Sequence, residues 1–251
     1  MSGATHAEDL KFRLMTIELL RTAKKRYTYR ELSTKTGLPV TVLSRYAKGH
    51  VLPNMERAQQ IWKILGKLVG LEEELRRRIQ FNEEGFFDNT WIIGDFNVLR
   101  QASNRALAKF AGKRVTKVLT AEVDGIPLAT MVANALGINL VIAKRSKEVG
   151  VPAFFEETYV LGRSGVTVTF YIPRGALRRR DSVLIVDDVI ESGETQAALI
   201  SLVEKAKAEV SGVYSLIAVG SKWKRTINLP KDSPVEVVIQ LEPKPQQEDR
   251  F

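Results

Sequence analysis

The chain has 251 residues, 44% of them hydrophobic, no cysteine, two histidines and a net charge of +9. The length exceeds the ~100–200 residues usual for one domain, so two domains are expected, each with enough apolar material for a core. Lack of cysteine excludes disulfides and thiol chemistry, and two histidines, His6 in an expected frayed tail and His50 in a loop, cannot assemble a metal cluster or a Ser/His/Asp triad around a core histidine.

Positive charge is concentrated at the front: residues 1–80 carry 16 Lys/Arg against 8 Asp/Glu, whereas residues 81–251 carry 22 against 21. A basic module followed by a nearly neutral one suggests that the first attracts a polyanion. This module reads as helices throughout, an all-α domain: Leu10, Leu14, Ile17 and Leu20 recur at helical spacing, as do Leu32, Leu38, Leu43, Ile61, Leu65 and Leu68 further on. Between Tyr29 and Leu65 the pattern predicts a helix closed by Gly37, a tight Gly-Leu-Pro turn, and a second short helix from about Val40 to Ala47. Leu32, Leu38 and Leu43 would clamp the pair. Thr41, Ser44, Arg45 and Lys48 would then share an exposed face, suited to base edges and phosphates of double-stranded DNA. Gly37, Ser44-Arg45-Tyr46, Gly49 and Pro53 together resemble the Cro/phage-repressor helix-turn-helix family over about 40 residues.

At Asn82–Asn89 the composition changes to a turn-rich NEEGFFDN, which predicts a joint between domains at 1–81 and 90–242. Beyond it, strand-like runs (Val115–Leu119, Leu140–Ala143, Val183–Val186, Val213–Val219) alternate with helical ones (Leu128–Leu136, Thr195–Ala206), which predicts an α/β fold with a mostly parallel sheet and helices on both faces. Phe154–Ile172 shows period-2 stretches and reads as a hairpin, while the tail at 242–251 is expected to be disordered. No apolar run is long enough for a membrane span and MSGATHAEDLKF lacks the core of a signal peptide, so no membrane association and a cytoplasmic location are expected.

The chemistry concentrates in Val183–Thr195, VLIVDDVIESGET: an apolar strand, two adjacent carboxylates at its C-terminal end, then a small-residue loop opening a helix. Asp187 and Asp188 can accept hydrogen bonds from ribose hydroxyls, or act on them through Mg²⁺ and water. Ser192, Gly193, Glu194 and Thr195 place backbone amides and hydroxyls at a helix N-terminus, where a phosphate is favoured. The segment resembles the signature of the type I phosphoribosyltransferases, and the resemblance extends over roughly Phe96 to Gly220. It implies binding of phosphoribosyl pyrophosphate (PRPP), with Mg²⁺ accompanying it, or of a nucleoside monophosphate. It also implies that Thr120–Ala129, with Glu122, Asp124 and Gly125, forms a pyrophosphate loop, that Lys144 and Arg145 meet the diphosphate, and that the hairpin corresponds to a hood carrying Phe154, Phe155 and Tyr159. Glu191 aligns with the acidic residue that purine salvage enzymes set opposite the base, and Trp223 with Lys224 could stack on it. Glu194 departs from the family, where Gly or Lys is common, and a carboxylate beside a phosphate is unfavourable unless it points outward.

The order of the two modules resembles archaeal transcription regulators with an N-terminal Cro-like module and a transferase-like domain, similar in logic to the bacterial purine repressor. That resemblance implies a homodimeric regulator whose DNA affinity is set by PRPP or a nucleotide. An active purine or orotate phosphoribosyltransferase with an accessory DNA-binding module is the alternative.

Overall fold

A computed structural model of the chain describes residues 6–161, 165–230 and 232–243. The chain divides into two compact units, Met1–Arg78 and Ile79–Phe251. The turn-rich stretch 82–89 therefore groups with the second unit.

The first unit is helical: α1 (His6–Lys24), α2 (Tyr29–Thr36), α3 (Val40–Ala47), α4 (Met55–Val69) and α5 (Leu71–Arg78). His6 opens α1 instead of lying in a frayed tail. Along α1 the apolar face is narrower than its spacing implied. Ile17 and Leu20 are buried with Leu32, Leu43, Ile61 and Leu65, but Leu10 and Leu14 remain 38% and 48% exposed, since the neighbouring helices cover only the second half of α1's stripe. Local signals set the boundaries of α2. Thr28 and Glu31 form a reciprocal capping box at its start, and Gly37 ends it in the left-handed conformation (φ 70°), donating its N–H to the Ser33 carbonyl. The Gln60 amide reaches the Thr36 carbonyl at 2.8 Å and fastens α4 to the end of α2. Helix α5 buries Leu71 and Leu75, and its buried Glu74 is ion-paired with Arg26, Arg77 and Arg78.

In the second unit, a short helix α6 (Thr90–Gly94) leads into α7 (Phe96–Phe110), followed by β1 (Lys117–Ala121), α8 (Gly125–Leu136), β2 (Asn139–Ala143), β3 (Phe154–Leu161), β4 (Val166–Pro173), β5 (Ser182–Ile190), α9 (Glu194–Lys205), β6 (Glu209–Val219), α10 (Trp223–Thr226) and β7 (Val235–Leu241). Five strands make one sheet in the order β2-β1-β5-β6-β7, parallel at every pairing; β3 and β4 pair antiparallel as a separate hairpin. The crossover through α8 steps from β1 outward to β2, and the one through α9 steps the opposite way, from β5 to β6. With right-handed crossovers, α8 and α9 cover opposite faces of the sheet. Alternation along β5 agrees: Val183 and Ile185 join the core cluster that contains Ala198, Leu199, Leu202 and Val203 of α9. The hairpin packs Phe155, Tyr159 and Phe170 on that same cluster. Helices α6, α7 and α10 and the edge strand β7 add to the elements predicted from the sequence. Residues 244–251 of the tail expected to be disordered lie outside the described residues. Among the described residues no helix is long and apolar enough to cross a membrane.

Candidate functional site

In the first unit, α2 and α3 pack through Leu32, Leu38, Leu43 and Tyr46, all buried. Tyr46 also accepts a hydrogen bond from Arg57 at 3.2 Å, which fixes the far side of α3 to α4. The opposite face of α3 is left to solvent. Thr41, Arg45 and Lys48 are exposed and Ser44 is half-buried. None of these four side chains has a hydrogen-bond or ion-pair partner among the described residues, so the hydroxyls, guanidinium and ammonium are available to an external ligand. The Ser33 hydroxyl donates to the Leu38 carbonyl at 2.7 Å and holds the turn between the helices.

In the second unit, β1 and β5 are adjacent, and their crossovers leave in opposite directions. This is the topological switch point at which open α/β sheets form a crevice. On its β1 side β5 is paired only through Val183–Ile185, while on its β6 side the pairing continues to Ile190. The strand therefore runs past the two carboxylates, which occupy its sixth and seventh positions instead of ending it. Asp187 and Asp188 are 7% and 5% exposed.

Their surroundings were not foreseeable from the local motif. The Gln196 amide, two residues into α9, donates to Asp187 Oδ2 at 2.5 Å. From 99 residues upstream, the Asn89 amide donates to Asp188 Oδ2 at 2.7 Å. Asp187 Oδ1 receives the Asp188 backbone N–H at 3.1 Å. Burial, reinforced by the charge of Asp188, pushes the Asp187 carboxyl well above the ordinary carboxylate range. Burial also raises Asp188, against the opposing hydrogen bonds from its neighbours.

Gly125 lies at the start of α8 beside this pair. A Cβ there would meet Asp187 Oδ1 at 2.8 Å and press on the Thr120 hydroxyl, so glycine lets the 122–125 loop settle on the carboxylates. Asp124 is exposed next to it, and its charge adds to the upward shift of Asp188. Glu122 turns the other way and accepts the Arg145 backbone N–H at 2.6 Å. The Arg145 side chain is exposed, whereas the Lys144 ammonium is ion-paired with Glu148 at 3.0 Å. The structure thus gathers Asp124, Gly125, Asp187 and Asp188, and ties Glu122 to the backbone of Arg145.

Beyond β5, Glu191 is exposed, Ser192, Glu194 and Thr195 are half-buried and Gly193 is buried. Gly193 is left-handed (φ 85°) and precedes the first residue of α9, with the Glu194 N–H 3.4 Å from the Ser192 hydroxyl. The Thr195 hydroxyl lies 3.1 Å from the Tyr159 hydroxyl, so the hairpin is tied to the helix N-terminus. Trp223 is buried in the core cluster, donates its indole N–H to the Gly220 carbonyl, and abuts Gly193. It supports the loop from beneath and does not present a stacking face.

No three or more His, Asp or Glu side chains converge into a metal-ligand group among the described residues. Both aspartates already accept side-chain amides. This donor set fits contact with Mg²⁺ through water better than a metal held by the protein itself.

Residues 96–246 match the family model described as "Phosphoribosyl transferase domain", and residues 17–69 match that described as "Helix-turn-helix". The xanthine phosphoribosyltransferase of Lactococcus lactis subsp. cremoris is 32% identical over 125 residues, 49% of this chain and 63% of that protein. The chain thus spans less than two thirds of that relative's length. The xanthine phosphoribosyltransferase of Streptococcus mitis is 32% identical over 124 residues, 76% of its length. Among solved structures, adenine phosphoribosyltransferase from Rhodothermus marinus superposes with a TM-score of 0.59 at 32% identity, covering 68% of this chain and 98% of that one. With the switch-point carboxylates, the small-residue loop at α9 and the helical first unit on the same chain, these matches show that the protein belongs to the phosphoribosyl transferase domain family and carries a helix-turn-helix ahead of that domain.

Proposed function

We propose that the protein is a DNA-binding transcription regulator whose second unit senses PRPP or a nucleoside monophosphate. The observation that carries this reading is the joining of an unpartnered α3 face to a family domain whose ribose-side carboxylates are buried and held by Asn89 and Gln196. Ligand hydroxyls would engage Asp187 and Asp188, and the 5′-phosphate would meet the amides of 192–195 at the start of α9. Mg²⁺ would arrive with the diphosphate of PRPP, neutralising it beside the exposed Asp124. The diphosphate itself would lie along 122–125 with Arg145 nearby; Lys144 would have to leave Glu148 to take part. Thr41, Ser44 and Arg45 of α3, with Lys48 just past its end, would read one half-site in the major groove. A homodimer would place two such helices about 34 Å apart.

Coupling follows from linkage. A ligand that binds one arrangement of the dimer better shifts the population toward it and so changes DNA affinity, and DNA in turn changes the affinity for that ligand by the same factor. The second reading, an active phosphoribosyltransferase with an accessory DNA-binding module, is supported by the 32% identity to proteins named as xanthine and adenine phosphoribosyltransferases. Glu191 would then be the acid or base opposite the nucleobase. Two measurements separate the readings: nucleotide formation from labelled PRPP, Mg²⁺ and each nucleobase, and mobility shift of a selected operator with and without PRPP or nucleoside monophosphates. A ligand-dependent shift without turnover supports the sensor. Turnover at ordinary enzyme rates refutes a pure sensor, and a shift indifferent to every ligand refutes the linkage.

A further inference from the structure

The near-neutral total of residues 81–251 conceals a local concentration of charge. At the N-terminal ends of β1, β5 and β6, opposite the end that carries Asp187 and Asp188, three loops come together. The Thr116 N–H donates to the Ser182 carbonyl, the Arg114 guanidinium to the Arg180 carbonyl, and the Glu209 N–H to the Asp181 carbonyl. These bonds bring Lys113, Arg114, Arg178, Arg179, Arg180 and Lys207 to one edge of the domain, and all six are exposed.

None of the six has a carboxylate partner among the described residues. By contrast, four other lysines of this unit, Lys109, Lys144, Lys147 and Lys205, are paired with Glu236, Glu148, Glu156 and Glu157. Of the acids at this edge, Asp181, Glu209 and Asp232, none is ion-paired with the six cations among the described residues, and Asp181 is occupied by the Thr116 hydroxyl and the Arg178 backbone N–H, both at 2.8 Å. The Lys113 ammonium donates to the Asp232 backbone carbonyl, its one partner among the described residues. Lys207 stands in the left-handed region (φ 57°), where glycine or asparagine is the ordinary choice, so a cation is kept there at a conformational cost. Mutual repulsion among six clustered cations is unfavourable in the free protein and is relieved by a polyanion.

We infer that this edge of the second unit is a sequence-independent binding surface for the phosphate backbone of double-stranded DNA. Three consecutive guanidiniums suit phosphate oxygens, and no described residue at the edge offers the exposed aromatic platform that single-stranded nucleic acid exploits. The choice of duplex DNA rests on the proposed function, in which α3 supplies the sequence-specific contact; the edge adds affinity without adding preference.

The test is a salt titration of the full-length protein on a fluorescent duplex lacking an operator, followed by anisotropy, alongside the same titration on the operator. R178Q/R179Q/R180Q is compared with the charge-conserving R178K/R179K/R180K, and thermal unfolding verifies that both fold. Each phosphate contact contributes about 0.9 to the slope of log K against log salt, so losing three flattens the slope by roughly 2.7. Between about 50 and 200 mM salt the wild type would then lose about forty-fold more affinity than the glutamine variant, while the lysine variant follows the wild type. If the glutamine variant keeps the wild-type slope and affinity, the surface is refuted while the regulator reading stands, because Arg45→Ala on the operator reports that reading separately. If the glutamine variant loses affinity for single-stranded RNA or anionic vesicles but not for the duplex, the assignment to DNA is overturned. If the wild type binds neither duplex, both the surface and the regulator reading fail.

Discussion

Gly193→Ala tests the rigidity of the loop that would hold the 5′-phosphate. Gly193 has φ 85° and ψ 1°, and a Cβ there would stand 3.0 Å from Trp223 Cα, 3.1 Å from Trp223 Cβ and 3.2 Å from Ile227 Cγ1. The left-handed conformation costs a non-glycine residue about 1–2 kcal/mol. Overpacking adds about 1–3 kcal/mol, toward the upper end because the nearest atom is backbone and Trp223 is locked by its bond to Gly220. A total of about 2–5 kcal/mol should lower the unfolding midpoint of this unit by roughly 4–20 °C, at about 2–4 °C per kcal/mol for a domain of this size. Calorimetric unfolding gives the first readout and titration with PRPP and Mg²⁺ the second, in which the variant should lose ligand affinity even well below its midpoint. An unchanged midpoint together with unchanged PRPP affinity would refute both the rigid loop and its role as a phosphate cradle.

Asp187→Asn should raise stability near neutral pH. Because burial and Asp188 hold the Asp187 carboxyl above its ordinary value, its contribution is fully present below about pH 4 and is lost as pH rises through the folded-state value. Denaturation at several pH values should show the variant's advantage appear above that range and vanish below it; a destabilised variant at pH ~7 contradicts the sign. Asn89→Ala removes a donor that favours the ionised form of Asp188, so it should cost about 1–2 kcal/mol near neutral pH and less in acid, measured by the same curves. Leu43→Ala empties a fully buried position between α2 and α3 and should destabilise the first unit by about 2–5 kcal/mol, abolishing operator binding while the second unit's unfolding stays in place. Arg45→Ala leaves the fold intact and should weaken operator binding by about 1–3 kcal/mol if it reads a guanine edge; an unchanged base preference removes it from the readout.

The sequence by itself determined the elements whose causes are local. The Gly37 turn, the boundaries of α2 and α3, the hairpin period of β3 and β4, and the strand-loop-helix of 183–195 all follow from capping, periodicity and glycine conformation, which act within a few residues. The helical reading of residues 1–80 takes in α5, whereas β7, VEVVIQL, carries a local β-branched signal but is placed as the last strand of the sheet only by its pairing with β6. Tertiary structure alone decided the environment of the carboxylates. The motif placed Asp187 and Asp188 at a strand's end, but the continued pairing with β6 draws the strand past them. Asn89 and Gln196 then reach them from segments 99 and 9 residues away. Tertiary contacts likewise turned Trp223 inward and gathered six cations from three separate stretches of chain at one edge of the sheet. Hydrogen bonding and burial at these sites depend on where distant segments are brought together, which is a property of the packed chain and not of any short stretch of it.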